Sequence, residues 1–153
     1  MNAERLSFKD NSFDIVCGTG ILHHLDLDKA CRELARVLAP EGRAIFIEPR
    51  GHNLFINLYR RMTPSLRTED EHTLLTTDIK LLRQYFGIVG TAYYHLFSIA
   101  AVPFQSTRIF RYVWGLLEKV DQLAFRLLPF LRKYAWMVVI TVSLPDKVAV
   151  RSS

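Results

Sequence analysis

The stretch Asp10-Asn11-Ser12-Phe13-Asp14-Ile15-Val16-Cys17-Gly18-Thr19-Gly20 decides how the rest of the chain is read. Asp10-Asn11-Ser12 forms a turn, residues 13–17 read as a short buried strand, and Gly18-Thr19-Gly20 breaks that strand into a loop. Downstream, Leu27, Ala30, Cys31, Leu34, Val37 and Leu38 recur at helical spacing, with Asp26 or Asp28 placed to cap the first turn. The helix stops at Ala39-Pro40-Glu41-Gly42, where Pro fixes its own φ and Gly tolerates a reversal, and Arg43-Ala44-Ile45-Phe46-Ile47 reads as a second strand. Strand, helix, turn and strand make a βαβ unit whose connection is long enough for a parallel crossover. Both strands are apolar without clean alternation, which predicts helices on both faces of a parallel sheet, and so an α/β fold.

Beyond Glu48-Pro49 the pattern changes. Residues 50–77 mix Gly51, His52 and Asn53 with a short apolar piece and the polar run Arg67-Thr68-Glu69-Asp70-Glu71-His72, as a long functional loop would. Asp78 is placed to cap a helix carrying Ile79, Leu82, Tyr85 and Phe86, which Gly87 ends. Residues 88–104 are uncharged over 17 positions, short of the ~20 that span a bilayer, and read as a strand plus a loop. Thr107 opens a long helix with Ile109, Val113, Leu116, Leu117, Val120, Ala124, Leu127 and Leu128 on one side. Residues 136–144, WMVVITVSL, are rich in β-branched side chains and form the best strand of the C-terminal half. Residues 147–153 read as a frayed tail.

Composition narrows the class. Of 153 residues 50% are hydrophobic and 23% charged, enough apolar material for one compact domain and too little charge for a disordered chain. Cys17 and Cys31 lie in periodic apolar segments, so the chain reads as cytoplasmic and reducing, and no basic and apolar leader opens the sequence. The net charge of +5 is unevenly spread: residues 1–47 carry 6 basic and 7 acidic side chains, whereas residues 107–133 carry Arg108, Arg111, Lys119, Arg126, Arg132 and Lys133 against Glu118 and Asp121. This basic amphipathic helix reads as a solvated face, with contact to a membrane surface as the minority view. Nucleic acid is not expected, because no stacking or groove-reading motif accompanies the cations.

Four motifs taken together resemble the C-terminal portion of a class I S-adenosylmethionine-dependent methyltransferase (methyltransferase type 11, of the ubiquinone-biosynthesis-like group). They are Asn2-Ala3-Glu4-Arg5-Leu6-Ser7-Phe8, Asn11-Ser12-Phe13-Asp14-Ile15-Val16, Leu22-His23-His24-Leu25, and Leu38-Ala39-Pro40-Glu41-Gly42-Arg43. The resemblance covers residues 1 to about 50. It implies a partial Rossmann-like sheet, strands four to seven with flanking helices and the last strand antiparallel, with residues 93–100 and 136–144 as the sixth and seventh. The layout is one partial domain over 1–146: a cofactor-side βαβ unit (1–50), a substrate-side segment and strand (51–106), the basic helix (107–133), a final strand (134–145), then the tail 147–153.

The resemblance also implies S-adenosylmethionine as cofactor. Asn2 and Ala3 stand where the family has an Asp-Ala pair that contacts adenine, and an amide oxygen can still accept from the adenine amino group. Gly18, Thr19 and Gly20 end the strand where ligands bind in α/β sheets, and two glycines let a ligand approach the main chain; His23 lines the same pocket. Adjacent His23 and His24 cannot both face one point, and no ligand stands at metal spacing beside them, so no metal is expected. The acceptor side is built from Glu48, Arg50, His52, Asn53, Tyr59 and His72, with Glu48 or His52 as a base and Arg50, Asn53, Tyr59 and His72 as substrate residues. Methyl transfer needs in-line positioning above all, and a base only for poorly ionised acceptors.

The family's glycine-rich turn of GxGxG type is not present in the sequence, which leads to two expectations. The first is a truncated or mis-started methyltransferase with weak or no autonomous activity, acting when intact on a small or lipid-like acceptor. The second is a non-enzymatic interaction module that pairs with a partner or with itself through an exposed sheet edge.

Overall fold

The computed structural model describes residues 2–51, 53, 74 and 76–148. Its order is β1 (Phe13–Thr19), α1 (Leu27–Val37), β2 (Leu38–Pro49), α2 (Thr76–Leu82), β3 (Phe86–Tyr94), α3 (Phe110–Leu127) and β4 (Met137–Pro145), with short 3-10 turns at Leu22–His24, Ser98–Phe104 and Pro129–Tyr134. The four strands form one sheet in the order β1-β2-β4-β3. β1 and β2 run parallel, as the βαβ reading requires. At β3 and β4, Gly87 lies against Leu144 and Gly90 against Thr141, so one strand's numbers rise as the other's fall: the last strand is antiparallel to β3. This is the partial α/β sheet that the resemblance implied.

The chain packs as two compact units. One comprises the described residues of Met1–Pro49, Thr68–Ala92 and Val139–Ser153, the other those of Arg50–Arg67 and Tyr93–Val138. In the first, Ala30, Cys31, Leu34 and Ala35 of α1 are buried, as are Ala44 and Phe46 of β2 and Ile140 and Val142 of β4. Asp26 caps α1, accepting from the Lys29 N–H at 3.3 Å. Asp28 instead faces Arg32 and accepts from the Tyr85 hydroxyl at 2.7 Å. In the second unit Leu96, Phe125 and Ala135 form a small core with Tyr93, Leu131 and Tyr134 against it.

Several expectations are corrected. Between Phe13↔Leu38 and Ile15↔Arg43, β1 advances by two residues and β2 by five, so the Ala39–Gly42 turn signal is a bulge within one long strand rather than its start. β2 alternates buried Ala44, Phe46 and Glu48 with exposed Arg43, Ile45 and Ile47, so this strand has one buried and one exposed side rather than the two covered faces expected. The third strand is Phe86–Tyr94, not 93–100, because residues 98–104 wind into a 3-10 turn. α2 ends at Leu82, before Tyr85 and Phe86, and Gly87 belongs to β3. The long helix starts at Phe110 rather than Thr107, whose carbonyl accepts from the Phe110 N–H at 3.3 Å. The tail begins docked: the Lys147 ammonium donates to the carbonyls of Ala35, Arg36 and Leu38 at the end of α1. Cys31 is buried but Cys17 is exposed, and both are free thiols.

Candidate functional site

β2 places Glu48 on its buried side, beside the C-terminal end of β1. Its carboxylate is fully enclosed: Oε1 accepts from the main-chain N–H groups of Ile21 and Leu22, each at 2.9 Å, and Oε2 pairs with His23 Nδ1 at 2.8 Å. An anionic acceptor receiving adjacent amides and an imidazole forms a charge-assisted clamp on the loop that leaves β1. With Glu48 ionised, the network puts the shared proton on Nδ1 of His23 and leaves Nε2 as the open nitrogen. The His24 ring lies against that of His23, with ring centres 4.0 Å apart and planes tilted by 41°. Among the described residues no three His, Cys, Asp or Glu side chains are grouped to hold a metal.

The glycine loop is explained by packing and backbone geometry. A Cβ on Gly18 would lie 2.8 Å from the Phe46 ring and 2.9 Å from Ile21, so this position is kept bare by Phe46, its partner across the ladder. Gly20 has φ +60°, a left-handed conformation that suits glycine, and its N–H donates to the Ile47 carbonyl at 2.8 Å. Thr19 is exposed at the strand end.

Ahead of β1, the segment with Asn2 and Ala3 is tied to α1. The Arg36 guanidinium donates to the carbonyls of Leu6 and Phe8 and to Asp10 and Glu33, while Glu33 also accepts from the Leu6 N–H at 2.8 Å. Arg36 beside it holds the Glu33 carboxyl below its ordinary pKa. Asn2 Oδ1 accepts from the Glu4 N–H at 2.9 Å in a local Asx turn, leaving its NH2 group toward solvent. A cavity of about 130 Å3 opens beside this turn, walled by Ala3, Gly18, Leu22, Leu25 and Cys31 and floored by Leu34 and Phe46. Burial pushes the Cys31 thiol up to about 12, so it is an inert part of that wall.

Ala3 and Gly18 of the expected cofactor residues thus share one cavity, and His23 stands on the adjoining clamp. In the second unit, Arg50 is buried, donates to the Arg132 carbonyl at 3.3 Å and lies over the Tyr93 ring, and burial lowers its pKa. Asn53, also buried, donates to the Tyr134 carbonyl at 2.8 Å. Both hold the 132–136 backbone. His52, Tyr59 and His72 lie outside the described residues. Leu22 and Leu25 of the Leu22-His23-His24-Leu25 motif also wall the cavity, and Leu82, which carried only an apolar helical signal, joins them.

Residues 1–46 match the methyltransferase domain family. The ubiquinone/menaquinone biosynthesis C-methyltransferase UbiE of Pseudoalteromonas translucida is 47% identical over 49 residues, 31% of this chain and 20% of that protein. UbiE of Escherichia coli O1:K1 is 32% identical over 120 residues, 62% of this chain and 46% of that protein. The chain therefore spans from about a fifth to under half of these curated relatives. Among solved structures, phosphoethanolamine N-methyltransferase 2 of Haemonchus contortus, in complex with phosphomonomethylethanolamine and S-adenosylhomocysteine, aligns at TM-score 0.60 and 17% identity over 95% of this chain and 36% of that one. A possible histamine N-methyltransferase of Thermotoga maritima aligns at 0.57 and 18% identity over 94% and 61%. The fold is that of S-adenosylmethionine-dependent methyltransferases. Residues 1–46 thus match the methyltransferase domain family, and the chain is similar to class I S-adenosylmethionine-dependent methyltransferases of the ubiquinone-biosynthesis type.

Proposed function

We propose that this chain forms an S-adenosylmethionine-facing part of a methyltransferase whose acceptor is a small or lipid-like molecule, with a carbon of a quinone-type ring as the favoured target. The observation that carries this reading is the Glu48 clamp on the loop at the end of β1, beside a cavity walled by Ala3 and Gly18, within the segment that matches the methyltransferase domain. The C-methyltransferase relatives support a carbon acceptor.

The residues fit part of the cofactor. The cavity is apolar and, at about 130 Å3, below the ~300–1,000 Å3 that encloses a drug-sized ligand, so it suits one flat apolar fragment such as a purine face. The Asn2 NH2 group and the main chain of Gly18, Thr19 and Gly20 supply polar contacts around it. When bound, the cofactor supplies an electrophilic methyl group on a sulfonium. Glu48 positions rather than reacts: both its oxygens are engaged, so it fixes the Ile21–Leu22 main chain and holds His23 with Nε2 open to accept a proton. His52, Tyr59 and His72 keep the acceptor-side roles that the sequence assigns. The second unit holds Arg50 and Asn53 as supports of the backbone they bind.

Isothermal titration of the full chain with S-adenosylmethionine and S-adenosylhomocysteine tests this. Saturable binding tighter than millimolar, weakened by Leu22→Asp, is the expected result. Millimolar or weaker affinity for both ligands overturns it.

A further inference from the structure

Helix α3 is held by one side and leaves another unspent. On the held side, the Asp121 carboxylate is buried and accepts from the main-chain N–H groups of Leu96 (2.9 Å), Phe97 (2.7 Å) and Ser98 (3.2 Å), while Phe125 packs in the Leu96 and Ala135 core. At ~100° per residue, a second apolar line lies on roughly the opposite side of the helix. Ile109, Tyr112, Leu116, Val120, Leu123 and Leu127 compose it, with exposures from 42% at Val120 to 81% at Tyr112. Their spacing keeps them within a stripe about 80° wide. Phe130, 61% exposed, follows just past the helix end.

One flank of this line is basic. Arg108, Lys119 and Arg126 border it, Arg111 stands one step further round, and all are exposed and make no ion pair among the described residues. The acidic side chains of the helix are Glu118, which faces His95 at 3.8 Å, and Asp121, which is consumed inside.

We propose that α3 lies in the plane of an anionic lipid surface, its apolar line among the acyl chains and its basic flank at the headgroups. A strongly two-sided helix with cations beside a large apolar face is what interfacial binding requires. Among the described residues no helix is long and apolar enough to cross a membrane, so the contact is in-plane. Charge selects lipid over a second copy of this chain. Two such faces meeting would bring like-charged flanks together with no acidic row to complement them, whereas anionic headgroups neutralise the flank while the acyl region takes the line.

Flotation of the full chain with phosphatidylcholine vesicles, with and without phosphatidylglycerol, tests the proposal. The chain is expected to float with the anionic vesicles, to float less with pure phosphatidylcholine, and to be released by salt. Lys119→Gln with Arg126→Gln lowers the partition coefficient about 25-fold, at ~1 kcal/mol per cation near the surface. Leu116→Glu with Leu123→Glu abolishes flotation; both positions are exposed, and circular dichroism checks that the helix content is kept. Absence of flotation with anionic vesicles, or flotation that survives Leu116→Glu with Leu123→Glu, overturns the proposal. So does a dimer seen by light scattering that the same pair of substitutions dissolves, which would reassign the line to a contact between copies. No cofactor takes part, so this result is separable from that of the titration above.

Discussion

Replacing Glu48 by Gln or by Ala separates a positioning carboxylate from a reacting one. In the native chain Glu48 receives the Ile21 and Leu22 amides and pairs with His23 Nδ1, all out of solvent. Hydrogen bonds to a charged group are worth about 1.5–3 kcal/mol each and neutral ones about 0.5–1.5. Gln keeps an oxygen for the two amides but presents an NH2 group to His23. It therefore forfeits about 1 kcal/mol of charge assistance per bond, roughly 3 kcal/mol in all. It also requires His23 to move its proton from Nδ1 to Nε2. Ala leaves both amides and the imidazole without their acceptor, and at about 1–3 kcal/mol per orphaned group the loss approaches the whole stability of a small domain, about 5–15 kcal/mol.

Urea unfolding followed by far-ultraviolet circular dichroism reads the stability change, and 15N chemical shifts of the His23 ring read the tautomer. The expectation is a fall of roughly 3 kcal/mol for Glu48→Gln, an Nε2–H tautomer, and weaker binding of S-adenosylmethionine as the Ile21–Leu22 loop loosens. A base would behave otherwise: Glu48→Gln would leave stability and cofactor binding in place and remove a limb of the pH–rate profile. A stability change below about 0.5 kcal/mol with His23 still protonated on Nδ1 refutes the clamp.

Other perturbations follow from the same kind of contact. Asp121→Asn leaves an NH2 group facing one of the Leu96–Ser98 amides and is expected to lower stability by about 2–4 kcal/mol, read by fluorescence of Trp114 and Trp136 in the same unit. Lys147→Met removes the cation from the Ala35, Arg36 and Leu38 carbonyls and is expected to remove about 1–2 kcal/mol, read as a lower urea midpoint. Burial lowers the His95 pKa below its ordinary 6.5, so the unfolded chain binds the proton first; stability then falls as pH drops below about 6.5 toward the folded value. His95→Asn, which tolerates the φ of +63° there, is expected to flatten the stability–pH curve in that window, and a slope that persists would assign it to another group.

The βαβ unit was legible because each element carries its own signal. The α1 apolar positions recur at helical spacing, Asp26 supplies the cap, and residues 13–17 of β1 and 43–47 of β2 are short apolar runs, although the turn residues ahead of Arg43 form a bulge inside β2. The last strand was legible from the β-branched run in β4, and its antiparallel direction only from the family resemblance. Local signals failed where tertiary packing decides. Tyr93 to Ser98 is apolar enough for a strand, but Asp121 takes the amides of Leu96, Phe97 and Ser98 and winds the chain into a turn. Thr107 has cap chemistry, yet its hydroxyl donates to the Phe104 carbonyl and the helix starts three residues later. At the site, Glu48 was recognisable as a strand-end carboxylate, but its commitment to the loop 26 and 27 residues upstream was not.

Beside the side-chain pairs Glu48–His23 and Arg36–Asp10, the long-range contacts around the site run from a charged side chain to main-chain groups: Glu48 to the Ile21 and Leu22 amides, Arg36 to the Leu6 and Phe8 carbonyls, Glu33 to the Leu6 amide. Lys147 does the same at the end of α1. Every non-proline residue has such a donor and every residue such an acceptor, so these anchors impose no side-chain identity on the segments they hold. The main chain at Leu6, Phe8, Ile21 and Leu22 is therefore fixed in position, while the side chains of Leu6, Ile21 and Leu22 are left to line the cavity. This is the arrangement that positional catalysis asks of a scaffold, with rigidity supplied from the neighbouring strand and helix and recognition left to the loop. It also explains why Asn2 can stand where the family resemblance places an acid. Within the turn Asn2 Oδ1 accepts from the Glu4 N–H, Glu4 accepts from the Asp26 N–H at the start of α1, and Leu6 just beyond is held by Arg36 and Glu33, so none of these contacts uses a charge at Asn2.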